Sequence, residues 1–268
     1  YHRGDEVGSS AAADANQYGI LRIDGNAVVS NQISIGYFGR GAVYLSGNGE
    51  LDFLDGWSGN NAFITGNQGT AGKAYGYLGM TGGTAREDFW FNIGGNGNTR
   101  ALIVQKGGRF EHNGSGEPVR FGFSGQSHCA YAQYGGTSVW KNYAAFGFAN
   151  YTPTCVGTVG SLTVAGEGTL MDFSGSGGYG GVNILCNANT NAVNPNSANI
   201  NVNDAGTLCV RKIARGQVAN NSPAWASLTN MIAAGSQYYL NFTGGVIKTA
   251  LAGEFFNSSA TDSVRELT

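Results

Sequence analysis

The sequence predicts an all-β chain, a single right-handed parallel β-helix (β-solenoid) with rungs of about 20 residues and one short inserted helix. Three observations predict it. The first is a phrase that recurs along the chain, reading apolar, any, apolar, any, small, any, Gly, any, apolar. Its clearest copy is Val43-Tyr44-Leu45-Ser46-Gly47-Asn48-Gly49-Glu50-Leu51, with further copies beginning at Leu102, Leu162 and Ile200 and blurred ones at Leu21 and Leu240. These starts are separated by 22, 59, 60, 38 and 40 residues, close to one, three, three, two and two units of twenty. The second is glycine: 45 residues against only 4 prolines, more than twice the ordinary glycine usage and without a collagen period. Many tight corners demand this, because only glycine takes positive φ freely. The third is a series of strand signals, each three to five residues long and each followed by Gly or Asn.

Taken in order, residues 1–17 carry no strand pattern and read as an irregular capping segment ahead of one β-helix domain over 18–268. Strands are expected at Ile20–Ile23, Ile33–Ile35, Ala42–Leu45, Leu51–Phe53, Ala62–Thr65 and Phe89–Ile93. They continue at Ala101–Val104, Val119–Phe123, Ser138–Trp140, Ser161–Val164 and Leu170–Phe173. Val182–Leu185, Ile200–Val202, Leu208–Val210 and Tyr238–Phe242 complete the set. The aromatic-rich stretch 131–155 breaks the rhythm and reads as longer loops. Residues 223–235 read as a helix, with Pro223 near its start, Trp225, Leu228, Met231 and Ile232 on one face and Gly235 as its stop. Thirteen rungs spaced about 4.8 Å apart would make a stack on the order of 50–60 Å long.

Charge narrows the function. Asp and Glu number 17 against 15 Lys and Arg, a net charge of −2. With no basic cluster longer than Arg211-Lys212, the footprint of a nucleic-acid binder is missing. No apolar run approaches the roughly 20 residues of a membrane span. The chain begins at Tyr1 without a signal peptide, so it is either a processed mature chain or a piece of a longer one. Cys129, Cys155, Cys186 and Cys209 show no zinc spacing. The pairings Cys129–Cys155 and Cys186–Cys209 suit residues one rung apart and imply an oxidising compartment; buried free thiols are the alternative.

Catalytic chemistry finds little to work with. Glycoside hydrolysis needs two carboxylates roughly 5–9.5 Å apart. Glu50 and Asp52 alternate around Leu51 and face outward together, and Asp172 holds the corresponding place in a later copy. A carboxylate pair that recurs with the repeat reads as a solvated face. The adjacent pairs Glu111-His112 and His128-Cys129 point to opposite sides of a strand and cannot act as dyads. No cofactor or metal site is expected. Tyr75, Tyr77, Tyr131 and Tyr134 lie beside glycines and are candidates for glycan or interface contact.

Gly160-Ser161-Leu162-Thr163-Val164 through Gly168-Thr169-Leu170, together with Leu240-Asn241-Phe242-Thr243-Gly244-Gly245-Val246-Ile247-Lys248, resemble the β-helical passenger regions of bacterial autotransporter-type surface proteins. They are especially similar to glycine-rich repeats in secreted proteins of the Planctomycetes–Verrucomicrobia–Lentisphaerae group. The resemblance implies an exported, extracellular or cell-surface protein. The expected function is structural or adhesive and non-enzymatic. Its partners would be a surface glycan or protein, or further copies stacked end to end or laterally into a fibre. A polysaccharide lyase or hydrolase, or a glycan-binding module, is the alternative.

Overall fold

Where apolar and polar residues alternate, a chain can bury one face of a short strand, and this sequence does so repeatedly. The computed structural model describes residues 5–7, 18–31, 33–37, 39–53, 61–64, 74–88, 90–95, 99–114, 119–122, 126–146, 157–175, 181–184, 196–215 and 237–249. The strands come in triplets, the first being β1 (Asp5–Val7), β2 (Tyr18–Ile23) and β3 (Val28–Asn31). The second is β4 (Ile33–Ile35), β5 (Arg40–Leu45) and β6 (Glu50–Phe53). The third is β7 (Asn61–Ile64), β8 (Tyr75–Met80) and β9 (Thr84–Glu87). The fourth is β10 (Trp90–Ile93), β11 (Arg100–Gln105) and β12 (Arg109–His112). The fifth is β13 (Val119–Phe121), β14 (His128–Gln133) and β15 (Thr137–Trp140). The sixth is β16 (Ala144–Phe146), β17 (Val159–Ala165) and β18 (Leu170–Asp172). The seventh is β19 (Gly181–Ile184), β20 (Ser197–Asn203) and β21 (Thr207–Val210). The eighth is β22 (Lys212–Arg215), β23 (Gln237–Thr243) and β24 (Val246–Thr249).

Each strand pairs in parallel with the strand three places on, so the described residues build three eight-stranded sheets. The first sheet runs from β1 to β22, the second from β2 to β23 and the third from β3 to β24. The described residues contain no helix, and the helix expected over 223–235 lies outside them. In the second sheet Leu21, Val43, Leu78, Ile103, Tyr131, Leu162, Ile200 and Leu240 stand in one inward column. Neighbouring strands of this sheet are offset by 22, 35, 25, 28, 31, 38 and 40 residues. The expected rung of twenty is therefore corrected. Gaps near 60 span two triplets rather than three units, and gaps of 38 and 40 span one. Strand registers are conserved from triplet to triplet while the number of residues between strands varies. Eight strands at about 4.8 Å make a stack near 34 Å, shorter than thirteen rungs would give.

Two copies of the phrase slip by one residue. Leu102 faces outward and Ile103 inward; Leu170 is half-buried while Met171 is fully enclosed. A one-residue shift moves a side chain to the other face. The irregular segment 1–17 contains β1, and the stretch 131–155, expected as loops around the one strand Ser138–Trp140, supplies half of β14 and all of β15 and β16. Three of its aromatics are core: Tyr131, Trp140 and Phe146 are all buried.

The core is one cluster shared by the three sheets, and its centre is an aromatic stack. Ring centroids are 5.7 Å apart for Phe53–Phe91, 5.4 Å for Phe91–Phe110, 5.1 Å for Phe110–Trp140 and 5.2 Å for Trp140–Phe173. Burying each such side chain contributes roughly 1.5–3 kcal/mol, with up to about 1 more from ring geometry. Several polar side chains inside this core are matched to one another and to corner carbonyls. Gln105 Nε2 donates to the carbonyls of Gly108 (3.1 Å) and Thr137 (3.2 Å), and the Tyr131 hydroxyl donates to Gln105 Oε1. Gln133 Nε2 donates to Gly136 and Leu170, both at 2.9 Å. Ser138 Oγ donates to Gln133 Oε1 (2.8 Å) and accepts from Trp140 Nε1 (3.0 Å). Glu87 and His112, both enclosed, meet at 3.1 Å.

The corner between the second and third sheets turns on stacked glycines. Gly108 has φ +75°, and a Cβ there would lie 2.5 Å from the Gly83 carbonyl oxygen of the previous triplet. Gly108→Ala is therefore expected to cost at least 2 kcal/mol, about 1–2 from the left-handed backbone and the rest from the collision. Gly168 has the same φ but open space around it, so Gly168→Ala carries only the backbone cost. Urea melts of both variants check this: equal losses would show that the inter-triplet contact at Gly108 is not as tight as described.

Candidate functional site

The outward positions of β2, β5, β8 and β11 carry mostly large side chains, alternating with residues that face the core. One row across these strands reads Tyr18, Arg40, Tyr75 and Arg100, and the row two residues on reads Ile20, Ala42, Tyr77 and Leu102. Together they floor a shallow groove of about 430 Å³. It is well exposed at one end, where Tyr18 is 73% and Ile20 56% accessible. The Arg40 and Arg100 guanidinium carbons lie 5.3 and 5.7 Å from the Tyr75 ring centre, approaching it from the strands on either side. In the next row Arg22 lies 5.0 Å from the ring centre of Tyr44, which is tilted against Tyr77 at 5.5 Å. Tyr77 lies down across Gly79, where a Cβ would come 2.7 Å from its hydroxyl oxygen. Burial, and then neighbouring Tyr44, push the Tyr77 phenol above its ordinary value of 10.0. Cation–π contacts of this kind contribute about 0.5–1 kcal/mol at exposed sites. They hold each guanidinium over a ring face without engaging a carboxylate.

Further along the same sheet the outward positions are mostly small or polar, with Tyr239 of β23 as an exposed aromatic. Asn241 Nδ2 donates to Asn201 Oδ1 (2.8 Å), and Asn201 Nδ2 donates to Thr163 Oγ1 (3.1 Å). The aromatic groove is thus confined to the first four strands of the sheet.

The third sheet's outer face is charged in both signs. Glu50 and Asp52 face outward together, as expected, and share one cation: Arg86 Nη1 is 2.8 Å from Glu50 and 3.3 Å from Asp52. Arg86 also reaches Glu111 at 3.4 Å, and Arg109 pairs with Glu111. Asp172 lies in the Asp52 column but four strands away, about 19 Å, and accepts from the Ser174 amide at 2.7 Å. The three carboxylates are not brought together.

The Arg109 hydrogen bond holds the Glu111 carboxyl below its ordinary value of 4.5, against the opposing effect of burial. A depressed folded-state value means that this stabilisation is complete above about pH 4.5 and is lost as pH falls through the folded value. The pair is surface-exposed, so its worth is under about 1 kcal/mol. Glu111→Gln should accordingly lower stability slightly at neutral pH and merge with the parent in acid; a constant difference across the pH range would contradict the pairing.

Of the four candidate tyrosines, Tyr75 and Tyr77 line the groove. Tyr134 is 53% exposed in the corner after β14, outside the groove. Tyr131 cannot contact a ligand: it is fully buried, and burial raises its phenol pKa far above the ordinary range. Glu111 faces out while His112 faces in, and His128 out while Cys129 is in, so neither adjacent pair is a dyad. No disulfide is present among the described residues. Cys129 takes a place held by small residues in the neighbouring strands (Gly76, Ala101, Gly160, Ala198) and approaches the Val159 carbonyl at 3.6 Å. Cys209 is a thiol, pushed up in pKa by burial and then by Asp172. The partners expected for Cys129 and Cys209, which are Cys155 and Cys186, lie outside the described residues. No group of three or more His, Cys, Asp or Glu side chains suited to a metal occurs among the described residues.

The arginines of the groove were not legible from the repeat phrase, which begins one residue or more after them. A signal is nevertheless present: Tyr18-Gly19-Ile20, Arg40-Gly41-Ala42, Tyr75-Gly76-Tyr77 and Arg100-Ala101-Leu102 each place a small residue between two outward ones, just ahead of the apolar column. Comparison of this chain with protein-family models, with curated proteins and with solved structures found no match.

Proposed function

We infer that the chain is a right-handed parallel β-helix, exported, that works as a non-enzymatic adhesive element on a cell surface. Strand pairing at every third place is the order such a coil requires, and parallel crossovers are right-handed in about 98% of cases. The groove on the second sheet carries the functional reading. Rows of tyrosine and arginine repeated over four strands offer a long ligand several equivalent contacts in line, and such contacts multiply one another's effect. The carboxylates that glycoside cleavage would need sit on another sheet, bound to arginines. The resemblance to autotransporter-type passengers favours the same reading.

The test is to incubate the purified chain with a panel of immobilised polysaccharides, measuring both retention and release of reducing ends or unsaturated products. Retention without release is the expected result. Soluble fragments would replace this reading with that of an enzyme, and no retention on any polysaccharide would refute adhesion to glycans.

A further inference from the structure

We propose that the groove on the second sheet binds an acidic polysaccharide, a chain of uronic-acid sugars, laid along the stacking direction across β2, β5, β8 and β11. This rests on the adhesive reading above and names its ligand class. Charge segregation is the first support. The outward positions of the whole second sheet carry Arg22, Arg40, Arg100 and His128 and no Asp or Glu, in a chain where acidic residues outnumber basic ones. The third sheet shows that this is not forced by composition, since its outer face mixes both signs and pairs them off. Among the described residues, no carboxylate lies within ion-pair distance of Arg22, Arg40 or Arg100.

Geometry is the second support. Arg40 and Arg100 stand two strands apart in one row, about 9.6 Å. A flat β-1,4-linked chain advances by nearly one sugar per strand spacing and turns alternate sugars to the same side. Every second carboxylate of such a chain would meet one of these arginines. The guanidinium fork is suited to accept a carboxylate through two N–H donors, and stacking on Tyr75 holds it ready. In the next row, beside the arginines, Tyr77 and Leu102 supply an apolar floor for the sugar faces. An extended peptide binds more readily at a sheet edge, where its backbone is satisfied, than on a sheet face. Single-stranded nucleic acid wants a denser line of cations than three arginines provide.

The experiment is calorimetric binding of the full chain to three probes: a β-1,4-mannuronate oligosaccharide, the same oligosaccharide with its carboxyls reduced to alcohols, and an oligothymidylate. The mannuronate is expected to bind at least tenfold more tightly than its reduced counterpart and to weaken as salt is raised. Arg40→Ala and Arg100→Ala should each lose about tenfold in affinity while the melting temperature falls by no more than a few degrees, and Arg109→Ala on the third sheet should lose no affinity. Equal binding of the reduced oligosaccharide would overturn the acidic assignment and leave adhesion to glycans standing. Oligothymidylate binding as strong as mannuronate would overturn it in favour of a nucleic acid. If the oligosaccharides fail here and the polysaccharide panel also retains nothing, both readings fall together.

Discussion

Replacing Leu45 with aspartate is expected to abolish the folded state at room temperature. Leu45 lies in β5 between Ile23 of β2 and Met80 of β8, is 1% exposed, and fills the space beneath the corner glycines Gly49 and Gly83. A carboxylate there would lose its water without gaining a cation. It would either protonate or expel itself, and together with the lost leucine packing the cost exceeds about 5 kcal/mol, as much as many whole domains possess. The informative control is its neighbour. Tyr44 is 38% exposed on the outer face, so Tyr44→Asp should lose only its ring contacts with Arg22 and Tyr77, about 1 kcal/mol. Far-ultraviolet circular dichroism through a urea series reads both. Because a strand reverses every side chain when its register slips by one residue, the opposite ranking would show that β5 is turned inside out.

Truncating Trp140 to alanine is expected to cost about 3–5 kcal/mol, the range for large aromatic side chains removed from a core. Its indole lies 5.1 Å from Phe110, 5.5 Å from Tyr131, 5.2 Å from Phe173 and 6.1 Å from the His112 ring. Its removal therefore opens a void spanning the fourth to sixth triplets. It also takes away the indole N–H donor from Ser138, within a network that ends on Gln133 and the corner carbonyls. Trp140→Phe keeps most of the volume and loses the donor, so its cost should be about 1–2 kcal/mol. In a stack where each triplet leans mainly on its neighbours, damage spreads by nearest-neighbour coupling. Hydrogen exchange should accordingly show lost protection centred on β12, β15 and β18, with β2 and β23 changed least. Uniform loss of protection across the chain would instead mark a single cooperative unit.

The all-β character, the parallel stacking implied by a recurring phrase and the inward residues Val43, Leu45, Leu51, Leu162, Val164, Ile200, Val202 and Leu208 were legible in the sequence. Alternation and corner glycines are local properties, and a strand three residues long already displays them. The outward placement of Glu50 and Asp52 was legible for the same reason. What the sequence could not reveal was the number of residues between stacked strands. That interval varies from 22 to 40, and nothing local records it, because residues inserted between strands leave each register intact. An assumed period of twenty therefore passed over β8 and β14, whose apolar phrases are interrupted by Gly79 and ended by Gln133. Tyr131 looked like a surface aromatic until the stacking of β14 between β11 and β17 enclosed it. The groove is the clearest case. Tyr18, Arg40, Tyr75 and Arg100 are far apart in the chain and lie outside the recurring phrase, yet parallel pairing sets them side by side in one row. Local pattern determined which side chains face out; only the pairing of strands decided which of them meet.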